Sequence, residues 1–139
     1  MEPKFPKPGA KKKKSALQKK KDSPNSKYWK NKADKEWGRV IHLQGCCMIG
    51  DKCKGNLEAH HLISRSNITT RHNILNGVLL CSLHHKFSKD CSPHMAPIQF
   101  SEFLRVHHPE KIVWVMHHRY ETGKPNYKES YEKLVQITE

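Results

Sequence analysis

Residues 56–67, NLEAHHLISRSN, decide the fold of this chain, because two histidines, His60 and His61, stand side by side within them. The partly apolar run at 57–63 predicts a β-strand. Successive side chains of a strand point to opposite faces of a sheet, so the two imidazole rings are aimed in different directions from one place. The pattern therefore predicts that the two histidines carry out different tasks.

A second stretch, NGVLLCSLHHK at residues 76–86, predicts the elements that meet this strand. Its apolar part indicates another short strand with an Asn-Gly turn at its start, and the residues after the cysteine indicate a short helix. A hairpin packed against that helix would bring His61, Asn76 and His85 to one groove.

Helical patterns and proline or asparagine start signals on both sides of this unit predict a mixed α+β domain. The predicted elements are strands at 57–63 and 76–81, and helices at 33–43 with Asp34 as cap, at 82–89, after Pro97, after Pro109 and at 126–137.

The cysteines suggest a metal site, because in a reducing compartment thiols serve as metal ligands more often than as disulfides. The five cysteines are Cys46, Cys47, Cys53, Cys81 and Cys91. The spacing of Cys81 and His84 suits two ligands of one ion, so we predict a structural Zn²⁺ site of Cys53, Cys81, His84 and either Cys46 or Cys47. Two alternatives remain open: the cysteines are buried free thiols, or Cys91-x-x-His94 supplies the second pair of ligands.

Positive charge is concentrated at the N-terminus. Residues 1–35 hold 13 of the 26 basic residues and 3 of the 13 acidic ones, a net charge of +10 out of +13 for the whole chain. We predict a disordered Lys/Pro-rich tail at 1–27 and a single domain at 28–139. The tail suggests a polyanionic partner bound through its phosphates; the alternative is a solubilising tail. With no apolar run of membrane-spanning length, the chain is expected to be cytoplasmic.

Three segments, LEAHHLISRSN, NGVLLCSLHHK and SPHMAPIQFSEFL, together resemble the HNH endonuclease family, in particular its small phage-type members. The resemblance covers residues 37–107. It implies a ββα-metal (His-Me finger) core and metal-dependent hydrolysis of DNA phosphodiester bonds, by nicking or double-strand cutting.

The resemblance also implies roles for single residues. His61 matches the general base, and His60 and His85 match ligands of a catalytic divalent metal such as Mg²⁺ or Mn²⁺. Asn76 matches the middle letter of the motif, for which we favour a positioning role. Lys89 stands where some relatives have a further histidine, so His94 is the candidate third ligand; it could equally be a DNA contact or a plain surface residue.

DNA is the expected partner. The candidate phosphate contacts are Arg65, Arg71, Lys86 and Lys89, with solvated surface charge as the alternative. An endonuclease is preferred over a zinc-stabilised DNA-binding module without catalysis, because such a module has no use for His61. An RNA-binding or RNA-processing factor is a further alternative, since phosphate contacts do not distinguish the two nucleic acids.

Overall fold

The computed structural model describes Gly9 and residues 11–139. Helices and a two-stranded sheet occur together, which confirms the mixed class predicted from the sequence. The elements are α1 (Ala16–Asp22), α2 (Lys27–His42), β1 (Leu57–His61), β2 (Gly77–Cys81), α3 (Pro97–His107), α4 (Pro109–His118) and α5 (Tyr127–Thr138), with a 3₁₀ turn at Ile74–Asn76 and a π-helical turn at Leu83–Phe87. Among the described residues, none of the helices has the length and apolar character needed to cross a membrane.

The sheet lies between two layers of helices. β1 and β2 are antiparallel, and every residue of β2 is buried, because helices cover both faces of the strand. Val78 and Leu80 pack with Phe100 of α3, whereas Leu79 packs with Ile41 of α2. The alternation of β1 therefore directs neighbouring side chains towards different layers.

Gly77 allows α2 to lie directly against the start of β2. It pairs with His61 across the sheet. A Cβ atom at Gly77 would clash with the side chain of Ile41 and would lie 2.7 Å from Cζ2 of Trp37. The absence of a side chain thus brings Trp37 to the face of the sheet that carries His61.

Helix α2 begins earlier than predicted: it starts at Lys27 after Ser26 as N-cap residue, so Asp34 is not the cap. The additional turns carry Tyr28 and Trp29, and the Trp29 ring lies 5.7 Å from that of Tyr131 in α5. The prediction of a start at residue 33 was wrong because this aromatic packing depends on a partner about a hundred residues away.

The N-terminal stretch predicted to be disordered contains helix α1, none of whose residues is buried. Its last carbonyls are capped from outside the helix: Ser26 Oγ donates to Lys20 O at 2.7 Å, and Trp29 Nε1 donates to Lys21 O at 2.9 Å. The prediction for residues 1–8 and 10 lies outside the described residues.

Two elements near the site are shorter than predicted. Strand β1 ends at His61 rather than at residue 63, because the next two residues bond to Asn76 instead of continuing the ladder. The helix predicted at 82–89 is the π-helical turn, closed by a 2.7 Å bond from Ser88 N to Leu83 O. Such turns recur at functional sites.

Candidate metal centres

Four side chains form a cluster that we call the cysteine site: Cys47, Cys53, Cys81 and His84. The sulfur atoms lie 3.6 Å (Cys47), 3.7 Å (Cys53) and 3.2 Å (Cys81) from Nδ1 of His84. Because Cys47 belongs to this cluster and Cys46 is exposed beside it, the choice that the sequence left open falls on Cys47.

The dimensions of the cysteine site suit zinc. Tetrahedral Zn²⁺, with Zn–S bonds of about 2.3 Å and Zn–N bonds of about 2.0–2.1 Å, places sulfur and nitrogen ligands about 3.6 Å apart. The three distances from His84 Nδ1 lie around this value. The cluster can therefore hold a metal ion such as zinc with no large movement of its ligands.

The electrostatics of the cysteine site also favour a cation. Desolvation and then the neighbouring thiols of Cys47 and Cys81 raise the pKa of Cys53 to about 12. Although desolvation opposes it, the backbone N–H groups of His84 and Lys54 lower the pKa of Cys81. Three thiolates at this spacing repel one another, so full ionisation of the site requires a positive charge at its centre.

The loop that carries Cys47 and Cys53 is tied to β2 at one end and to the π-helical turn after β2 at the other. Met48 N donates to Leu79 O at 2.8 Å, and Leu83 N donates to Lys54 O at 3.1 Å. Gly55 has a positive φ of 86°, and a Cβ there would lie 2.7 Å from Ser82 Cβ, so only glycine allows this close approach.

Cys91 does not belong to the cysteine site. Its side chain is half-buried and packs against the apolar core around Val78 and Phe100, and desolvation raises its pKa. His94, which the sequence offered as its partner in a rival zinc pair, belongs instead to a second cluster.

The second cluster, which we call the histidine site, consists of His60 on β1, His85 in the π-helical turn and His94 before α3. One ring nitrogen from each lies within 4.8 Å of the others. His60 Nδ1 and His85 Nε2 are 3.2 Å apart, within the range of about 3.0–3.4 Å expected for neighbouring ligands with metal bonds of about 2.0–2.1 Å. Burial and then the neighbouring His85 and His94 lower the pKa of His60 to about 3, so its ring is neutral as a ligand must be.

Glu58 orients His85, a role that the sequence reasoning missed. Its Oε2 lies 2.6 Å from Nδ1 of His85, which leaves Nε2 directed at His60. The bond from His85 lowers the pKa of Glu58 and keeps it ionised. Carboxylates commonly orient histidine ligands in this way. The available signal was the two-residue period of the strand, which places Glu58 on the same face as His60.

His61 points to the opposite side of β1. Its ring stacks on that of Trp37, with centroids 3.8 Å apart and planes at 8°. Its Nε2 lies 2.9 Å from the carbonyl oxygen of Arg71, and burial lowers its pKa. A carbonyl only accepts, so Nε2 carries the hydrogen and Nδ1 of the neutral ring is bare.

Asn76 is fully buried and holds the loop that follows β1. Its Oδ1 accepts from Ile63 N at 2.6 Å, and its Nδ2 donates to Ile63 O at 3.0 Å and to Thr70 O at 3.2 Å. All the polar atoms of the amide are thus used internally, which is the geometry of a positioning residue.

The four basic residues expected to contact DNA occupy different surroundings. Arg65, Lys86 and Lys89 are exposed. Arg71 instead forms a two-bond ion pair with Asp34, at 2.7 and 2.8 Å, and its side chain is only 11% exposed. This ion pair occupies the guanidinium, so the expected phosphate contact of Arg71 is not supported.

One cavity of about 780 Å³, which we call the histidine groove, joins these features. Its lining residues include His60, His61, His85 and His94, together with Arg65 and Lys86. It combines imidazole nitrogens with positively charged side chains, an arrangement suited to a metal ion and an anionic substrate.

Comparison of this chain with known protein families, with curated proteins and with solved structures finds no match.

Proposed function

We propose that this chain is a metal-dependent endonuclease of the HNH type that hydrolyses phosphodiester bonds in DNA. The observation that carries the proposal is the convergence of His60, His85 and His94 at the same groove that His61 lines. A divalent cation such as Mg²⁺ or Mn²⁺ held by the three histidines would supply Lewis-acid stabilisation of the phosphate and of the leaving oxygen.

His61 serves as the general base in this proposal. The bond from its Nε2–H to the carbonyl of Arg71 directs the lone pair of Nδ1 away from that bond, where it can accept a proton from water. Burial lowers the pKa of His61, so the ring is neutral and ready to act near neutral pH.

The remaining groove residues bind and orient. Arg65 and Lys86 supply positive charge for the phosphates beside the scissile bond. Asn76 holds Ile63 and Thr70, at the two ends of the loop that carries Arg65. Glu58 fixes the ring of His85 so that Nε2 faces the histidine site.

The cysteine site has a structural role in the proposal, as a closed Zn²⁺ site of three thiolates and one imidazole. It ties the loop before β1 to the end of β2. His84 belongs to the cysteine site and His85 to the histidine site, so a zinc ion on His84 would also fix the backbone that presents His85.

The test is plasmid nicking with Mg²⁺ or Mn²⁺, with a chelator added in parallel. His61→Ala is expected to lose about 10²–10⁴ in rate, the usual contribution of a general base, whereas the exposed His107→Ala in α3 retains the wild-type rate. Full activity of His61→Ala would refute the assignment of the base. Plasmid binding without cleavage under every cation would instead identify a zinc-stabilised DNA-binding module.

A further inference from the structure

Helix α2 lies outside the two strands and the π-helical turn, yet it supplies the surroundings of His61. Two of its residues reach the ring by different routes: Trp37 touches it directly, and Asp34 acts through Arg71. Neither contact involves the histidine site or the cysteine site.

Trp37 fixes the plane of the His61 ring. The indole is 3% exposed and parallel to the imidazole within 8°. Its Nε1 donates to Asn73 O at 3.0 Å, so the indole cannot turn without losing a bond from a buried group. A rotation about the Cβ–Cγ bond of His61 that tilts the ring out of this plane would break the stack, which confines the imidazole to one plane.

Asp34 fixes the carbonyl group that accepts the hydrogen bond of the His61 ring. Its carboxylate takes two bonds from the Arg71 guanidinium and lies 2.7 Å from Nε2 of His72. The carbonyl oxygen of Arg71 receives the hydrogen of His61 Nε2. Asp34 thus holds the backbone at residues 71 and 72 in the position from which Arg71 O selects the ring tautomer.

We infer that Trp37 and Asp34 are positioning residues for the general base: together they hold His61 as the tautomer whose Nε2 carries the hydrogen and whose Nδ1 is bare. This inference rests on the proposed function for its catalytic meaning, but the tautomer can be measured without any reaction. The substrate in this inference is the DNA phosphodiester of the proposed function. Trp37 and Asp34 act on the orientation of His61 and not on the metal.

A purely structural role for Trp37 and Asp34 makes a different prediction. Their loss would then lower the free energy of unfolding, but in the folded protein the His61 tautomer, kcat and KM would be unchanged. A positioning role lowers kcat, because a displacement of about 1 Å at a catalytic group can cost about a hundredfold, and leaves KM for DNA nearly constant.

The experiment uses the zinc-loaded full chain without Mg²⁺ or Mn²⁺. Long-range ¹H–¹⁵N spectra of histidine-labelled protein report which ring nitrogen carries hydrogen, and His61→Ala identifies the signals of His61. We expect a single Nε2–H tautomer in the wild type and a mixture in Asp34→Ala and Trp37→Leu. Trp37→Phe keeps a stacking ring and is expected to restore most of the wild-type state.

Two matched controls come from the same chain. Glu102→Ala breaks an exposed two-bond pair with Arg105, and Trp114→Leu breaks a stack on His118 whose ring centroids are 4.7 Å apart. Both remove the same kinds of interaction away from His61, so both are expected to leave its tautomer and the nicking rate unchanged.

With Mg²⁺ added, Asp34→Ala and Trp37→Leu are expected to lose about a hundredfold in kcat. If Asp34→Ala does not retain zinc, Asp34→Asn, which keeps the volume and one acceptor oxygen, is measured in its place and is expected to show a mixed tautomer. A wild-type tautomer in the folded Asp34 and Trp37 variants would overturn the inference. Failure of the proposed function has a different sign. In that case His61→Ala would nick plasmid DNA at the wild-type rate, whichever tautomer the spectra show.

Discussion

Replacement of Asn76 by alanine probes a fully buried polar side chain close to the groove. Asn76 is 0% exposed, and its side chain pairs with both the N–H and the carbonyl of Ile63 and with the carbonyl of Thr70. Thr70 O keeps a second partner, Asn73 N at 3.0 Å. The substitution therefore leaves the N–H and the C=O of Ile63 without the amide that satisfies them.

The magnitude follows from those two groups. Ile63 is buried at 7% exposure, and a buried polar group left unpaired costs about 1–3 kcal/mol, so Asn76→Ala is expected to lower the free energy of unfolding by about 2–6 kcal/mol. That is a large share of the roughly 5–15 kcal/mol that stabilises a typical domain.

The assay is urea unfolding of the zinc-loaded protein, with Asn73→Ala as the matched control. Asn73 lies three residues away and is exposed, and its side chain caps the 3₁₀ turn by accepting from Leu75 N at 2.9 Å. Loss of such a cap costs about 1 kcal/mol. Equal destabilisation by Asn73→Ala and Asn76→Ala would refute the reasoning that the buried amide holds the loop.

Three further outcomes are expected. Cys53→Ser lowers the zinc content measured by elemental analysis, whereas Cys46→Ser retains it; equal loss in both would contradict the ligand set. Although burial opposes it, the bonds from Arg71 and His72 lower the pKa of Asp34, so the stability that Asp34 contributes is present above the ordinary value of 3.8 and lost as pH falls through the lower folded value. The difference in unfolding free energy between wild type and Asp34→Asn should shrink below that pH, and a constant difference would count against the ion pair. Deletion of residues 1–22 reduces the salt dependence of plasmid binding: the slope of log K against log salt concentration changes by about 0.9 for each phosphate that the protein no longer neutralises. An unchanged slope would show that the basic segment does not contact DNA.

The parts of the site that follow local patterns could be predicted from the sequence. Strand alternation separates His60 from His61, and the consecutive positions of His84 and His85 allow them to face different clusters. The resemblance to a known motif supplied His94. These features follow from strand alternation, from consecutive positions and from the spacing of a motif, which secondary structure converts directly into geometry.

The parts that depend on how α2 packs against the sheet and against α5 could not be predicted. The pairing of Asp34 with Arg71 and the stack of Trp37 on His61 require the position of α2 against the sheet, which Gly77 permits but does not by itself predict. The early start of α2 depends in the same way on Tyr131.

The convergence of His60, His85 and His94 on one cation is tested most directly by pulsed EPR of the zinc-loaded protein with one equivalent of Mn²⁺. The geometry predicts couplings between Mn²⁺ and histidine nitrogens, which weaken in His85→Ala while the zinc content stays constant. A Mn²⁺ signal with no nitrogen coupling, or one that His85→Ala leaves unchanged, would contradict a cation held by these three rings.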